Sequence, residues 1–163
     1  MSLYADHRNT IKSGDLIAFR ARDFWGRMIG YFTRSAHSHV AVAWRFRGRL
    51  FLLEAKEGQG VQIRAASEAL PFDHITTHAF WDDHIEEDAL MYLGKPYAWL
   101  DLMNVGVGLE PSADGMICSE YCAKVIRPVL EDAWQAMPKS PTPANLVEHF
   151  LDHDGVLTPV KEG

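Results

Sequence analysis

Asp114-Gly115-Met116-Ile117-Cys118-Ser119-Glu120-Tyr121-Cys122-Ala123-Lys124-Val125-Ile126-Arg127-Pro128 is the stretch on which the reading of this chain turns. Asp114 or Gly115 can leave a loop conformation, and Pro128 cannot continue a helix, so the spacing predicts a helix between them. Cys118 falls in its first turn, where unpaired backbone N–H groups and the positive end of the macrodipole favour a thiolate. Cys122 and Val125 follow at i+4 and i+7, so one stripe of the helix faces the interior. Two readings of the thiols stay open at this point: a nucleophile at the start of a half-buried helix, or two small buried hydrophobes.

Length and composition narrow the field. With 163 residues, 47% apolar and 23% charged, the expectation is one globular domain spanning residues 1–163 with a substantial core. A formal net charge of −6 argues against nucleic acid or an anionic membrane as the main partner. No apolar run reaches the ~18 residues of a membrane span. Met1 to Gly14 is polar and lacks the apolar middle of a signal peptide, so the expected location is cytoplasmic unless a leader has been trimmed. Two cysteines four apart on a helix lean the same way along its axis and suit free thiols better than a disulfide. Without a second pair they also exclude a Cys₄ zinc site.

Upstream, the pattern is that of short antiparallel strands. Gly14-Asp15 turns into Leu16-Ile17-Ala18-Phe19-Arg20. Phe24 to Thr33 carries aromatics at helical spacing and predicts a short helix. After the small polar run Ser35 to Ser38, read as loop, Val40 to Trp44 forms the clearest strand. Val40, Val42 and Trp44 share one face; His39, Ala41 and Ala43 share the other. Arg45 to Arg49 makes a basic hairpin turn, and Leu50 to Ala55 returns antiparallel. Glu54 ends that apolar strand, where a carboxylate needs a partner or an edge. Gly58-Gln59-Gly60 turns into a strand Val61 to Arg64, and Thr76 to Trp81 is expected as a further strand after a loop containing Pro71.

The second half is helical. Asp82 to Gly94 is an amphipathic helix capped by Asp82 or Asp83, with Ile85, Ala89, Leu90 and Leu93 inward. Gly94 to Tyr97 is a tight turn, Ala98 to Val105 a helical turn, and Gly106 to Gly115 a loop. Pro138 to Pro143 is extended, and Thr142-Pro143 caps a last helix to Leu151.

His39 therefore starts one strand, Glu54 ends its neighbour and Cys118 starts a helix. If the helix lies across the sheet, thiol, imidazole and carboxylate line up as nucleophilic cysteine catalysis needs. Gly14-Asp15-Leu16-Ile17, Ser38-His39-Val40-Ala41, Leu53-Glu54-Ala55, Gly94-Lys95-Pro96-Tyr97, Cys118-Ser119-Glu120 and Thr142-Pro143-Ala144-Asn145-Leu146 occur in one order. In that order the chain resembles YiiX-like proteins, the circularly permuted branch of the NlpC-type papain-like cysteine amidases and peptidases. The resemblance spans residues 14 to about 146. It implies an α+β papain-like fold of four to six antiparallel strands with the Cys118 helix on one face. It also implies a Cys118 nucleophile, a His39 base, a Glu54 orienting acid and Tyr97 lining the cleft. The implied substrate is a small peptide or acyl-amide, with no cofactor and no metal.

Other readings of the same residues remain. Glu54 could instead bridge to Arg20 or Arg49, and Tyr97 could be a core aromatic. Ser35 to Ser38 aside, an H-x-H pair such as His37 and His39 on a strand would point both imidazoles to one face, and with Cys118 or Glu54 could ligate zinc. The apolar stretch Leu102 to Leu109 could admit an acyl chain for a lipid acyltransferase or thioesterase on the same fold. His7, His74, His78, His84, His149 and His153 are read as scattered and solvated.

Overall fold

Period-two alternation of apolar residues builds one sheet through most of the chain. The structure is a computed structural model and describes residues 2–20, 36–98, 115–126, 137–138 and 141–163. Among these, the strands are β1 (Ser2–Leu3), β2 (Leu16–Arg20), β3 (His37–Phe46), β4 (Arg49–Lys56), β5 (Gly60–Ala65), β6 (Phe72–Ile75) and β7 (Leu157–Lys161). They lie in the order β1-β7-β6-β2-β3-β4-β5. Every pairing is antiparallel except that of β1 with β7. The helices are α1 (Tyr4–His7), α2 (Asp83–Met91), α3 (Cys118–Ile126) and α4 (Pro143–Asp152). This is the mixed α+β class with a largely antiparallel sheet, as expected.

Alternation divides the core in two. Leu16, Ala18, Val40, Val42, Trp44, Leu53 and Ile75 meet α3 and α4 through Cys122, Val125, Leu146 and Phe150. The intervening residues Ile17, Ala41, Ala43, Leu50 and Leu52 pack on the reverse face against Ile11, Ala66, Ala69 and Phe72. The alanines beside His39 thus make room for the N-terminal segment and the 3₁₀ turn Ala66–Glu68. α3 takes the valine face. Its two-layer burial is why seven of its nine residues are inaccessible. Tyr121 fixes α3 to α2 by donating its hydroxyl to the Ala89 carbonyl at 2.9 Å.

Local signals act as written at several ends. Arg47 and Gly48 both adopt positive φ, 49° and 79°, the two-residue turn that matches the twist of β3 and β4. Asp82 caps α2 by accepting from Ile85 N, and Thr142 with Asn145 forms a reciprocal capping box on α4.

Four expectations are corrected. The strand expected at Thr76–Trp81 lies earlier, at Phe72–Ile75, because Asp73 and His74 are each buried with partners that make charged groups tolerable in a strand. His37 and Ser38, read as loop, already belong to β3. Leu93 is exposed rather than inward. The sheet has seven described strands rather than four to six, since the two chain ends add β1 and β7. The helix expected at Phe24–Thr33, the turn running on from Ala98 to Val105, the loop from Gly106, Leu102–Leu109 and the stop at Pro128 lie outside the described residues.

Gly60 gives a direct check on how the 94–97 turn is held to β5. Val61 N donates to Lys95 O and Gly94 N to Val61 O. A Cβ at Gly60 (φ 75°) would collide with the Lys95 carbonyl, whereas one at Gly58 (φ 73°) would meet open space. Gly58→Ala should cost only the left-handed strain, about 1 kcal/mol, and Gly60→Ala about 2–4 kcal/mol. Equal losses in thermal melts would contradict this contact.

Candidate active site

The β3–β4 ladder stops at Val42↔Leu53. Beyond that pair β3 stays with β2 as far as His37, and β4 stays with β5 as far as Lys56↔Gly60. His39 and Glu54 both project from the parted segments, on the same side by alternation. There His39 Nε2 donates to Glu54 Oε2 at 2.7 Å. The α3 N-terminus reaches this point, and the Cys118 side chain lies near enough to His39 to act on its charge. With Nε2 committed to the carboxylate, Nδ1 is the nitrogen left for the thiol. Cys118 is the first residue of α3, and 3% of it is exposed.

Glu54 has no exposed surface, so its charge must be matched from within the protein. Besides His39, Gln62 Nε2 donates to Oε1 at 3.0 Å and Arg64 Nη2 to Oε2 at 3.2 Å. Arg64 Nε lies 2.9 Å from Oε1. Burial alone would push this carboxyl up. The hydrogen bond and charge of His39, then Arg64 and Gln62, outweigh it and hold the pKa below the ordinary carboxylate range. Burial likewise pulls His39 down, but the charge of Cys118, with the hydrogen bond and charge of Glu54, raises it to about 9.

The surroundings distinguish the two thiols. Burial pushes Cys122 well above the ordinary thiol range, and the negative charges of Cys118 and Glu54 add to that. Tyr97, half-buried and bridged to Met116, is raised above the ordinary phenol range by burial first and then by the charge of Cys118. The bridge to Met116 places Tyr97 beside the segment that leads into Cys118.

The structure brings Cys118, His39, Glu54 and Tyr97 together. The alternative pairings of Glu54 do not form: Arg20 lies 2.8 Å from Asp73, and Arg49 stacks over Phe51. Nor do His37 and His39 share one target. The β2–β3 register slips between Phe19↔His39 and Arg20↔His37, a bulge that redirects the earlier side chain. His37 Nε2 binds Asp73 at 2.8 Å instead. Among the described residues no group of three or more His, Cys, Asp or Glu is placed to hold a metal ion. His74 is not solvated either; it is 2% exposed, between Asp15 and His7 at 2.9 Å each.

Gln62, Arg64 and Phe19 were missed in the sequence. A hairpin closing Lys56 onto Gly60 puts Gln62 opposite Glu54 and Arg64 on the same side two residues on, so the turn Gly58-Gln59-Gly60 carried the signal.

The Cys118–His39 interaction has a signed consequence. His39 is raised, so the stability its charge contributes is complete below its unfolded value near 6.5 and is lost as pH rises through about 9. Cys118→Ala removes the largest raising cause. Its His39 NMR titration should fall well below 9, and its melting difference from wild type should shrink between pH 6.5 and about 9. An unmoved His39 titration would contradict the contact.

No protein-family model matches the chain, and no curated protein matches it. Its fold is similar to that in the crystal structure of the metalloprotein yiiX from Escherichia coli O157:H7. The TM-score is 0.57 at 21% identity, over 74% of this chain and 67% of that one. The chain thus has a yiiX-like α+β fold.

Proposed function

We propose that this chain is a cysteine hydrolase of the permuted NlpC type, cleaving an amide bond in a peptide or acyl-amide. The observation that carries the reading is the placement of His39, bonded through Nε2 to a fully buried carboxylate and close enough to Cys118 at the start of α3 for the thiol to act on the ring. In a buried site such an array has an ordered chemical role.

Cys118 gives its thiol proton to His39 as its sulfur attacks the amide carbonyl carbon, and the electron pair of the C=O bond moves to oxygen. The first-turn N–H groups of α3, which a helix leaves without intrahelical partners, can donate to that oxyanion. Collapse breaks the C–N bond, with the proton on His39 passing to the departing amine. Water then attacks the thioester and gives one proton to His39; the C–S bond breaks, the acid leaves, and His39 returns the proton to the Cys118 sulfur. Glu54 stays ionised throughout and holds the ring with Nε2 occupied, so Nδ1 carries the moving proton.

The name of the yiiX neighbour makes a metal the competing reading. His37 and His39 turn to different carboxylates, Asp73 and Glu54, which favours separate roles for the two rings over a shared metal site.

Turnover on a panel of small acyl-amides and peptides tests the proposal. Cys118→Ala should lower kcat/KM by about 10³-fold or more, and His39→Ala similarly. Glu54→Gln should cost less than either in turnover. Iodoacetamide at pH 6 should modify Cys118 before Cys122, and His39→Ala should remove that preference. Chelators should leave turnover unchanged. Zinc present in stoichiometric amount and lost together with activity would overturn the reading, as would equal alkylation of both thiols in the native protein.

A further inference from the structure

We propose that Arg64 is a positioning residue of this site, neutralising Glu54 so that His39 can surrender its proton and seating Phe19 against the imidazole. Its consequence for turnover rests on the hydrolase reading; its geometry does not.

Arg64 is carried on β5 and its side chain is 21% exposed, while the Glu54 side chain it contacts is 0% exposed. The guanidinium pairs with the carboxylate: Nη2 donates to Oε2 at 3.2 Å, while Nε lies 2.9 Å from Oε1 without hydrogen-bond geometry. It also lies over the Phe19 ring, 5.6 Å from the centroid. Phe19 in turn meets His39 with ring centroids 5.3 Å apart. One cation therefore touches the orienting acid directly and reaches the base through an aromatic ring. Such a contact restricts the imidazole plane.

The charge arithmetic explains why a cation is useful there. A buried carboxylate with His39 as its sole cationic partner would bind the imidazolium too tightly. The proton would then be reluctant to leave with the amine, and when His39 became neutral the carboxylate would be left uncompensated. Arg64 supplies a fixed positive charge in both states. The groups facing the pair are few. Glu54 meets His39 from β3 and Gln62 and Arg64 from β5, and its charge is felt by Cys122 on α3. His39 meets Glu54 from β4, Cys118 from α3 and Phe19 from β2.

The test is a substrate-free NMR titration of the His39 ring in wild type, Arg64→Met and Arg64→Lys. Removing the cation should raise the His39 midpoint by on the order of one pH unit. Arg64→Lys restores the charge without the planar guanidinium and should return the midpoint to near the wild-type value. Arg64→Gln serves the same comparison if Arg64→Met proves unstable. Phe19→Ala should leave the midpoint nearly unchanged but broaden the ring resonances. A midpoint that does not move on loss of the cation, or that Lys fails to restore, overturns the role of Arg64. Because no substrate is present, that result would leave the hydrolase reading intact. Conversely, absence of amide turnover would not affect the titration.

Discussion

A carboxylate with no exposed surface, Glu54, is the constraint around which this protein is arranged. Such a group is tolerated only when the chain supplies it with donors and positive charge. Three come from the strands on either side of β4, His39 from β3 and Gln62 and Arg64 from β5. Satisfying Glu54 therefore fixes the imidazole. A fixed imidazole, in turn, gives the first residue of α3 a defined partner. The sheet fork, the buried acid and the helix terminus make one mechanical unit.

The rest of the sheet is held by two further buried acids on the same logic. Asp73 receives His37 and Arg20 at 2.8 Å each. Asp15 accepts from Lys12 N at 2.7 Å and from His74 Nε2 at 2.9 Å, and its other oxygen accepts from Thr77 N. These contacts join β6 to β2, β3 and the turn before β2, so the polar residues lie inside the sheet as cross-strand ties. They also explain why His37 is occupied structurally and diverges from His39.

Much of this was readable in the residues themselves. The Cys118 helix, the Val40–Trp44 alternation, the hairpin at Arg47-Gly48 and the caps at Asp82 and Thr142 follow from local chemistry, which acts over a few residues. That His39 and Glu54 lie on adjacent strands was legible for the same reason, although β3 begins two residues before His39 and β4 runs two beyond Glu54. What escaped depended on partners distant in sequence. Asp73 and His74 look wrong for a strand until Arg20, His37, Asp15 and His7 arrive from elsewhere. The ends of the chain, β1 and β7, pair with each other, and nothing within either segment announces that. The bulge separating His37 from His39 comes from a register slip that only the two paired strands together define.

The account stands or falls on whether Cys118 forms a covalent acyl intermediate with the help of His39. Brief exposure to an activated acyl anilide, followed by acid quench, intact mass and peptide mapping, measures this directly. The account predicts a single acyl adduct on Cys118, rapid in the wild type and nearly absent in His39→Ala. An adduct on Cys122, or one on Cys118 that forms at the same rate without His39, would contradict it.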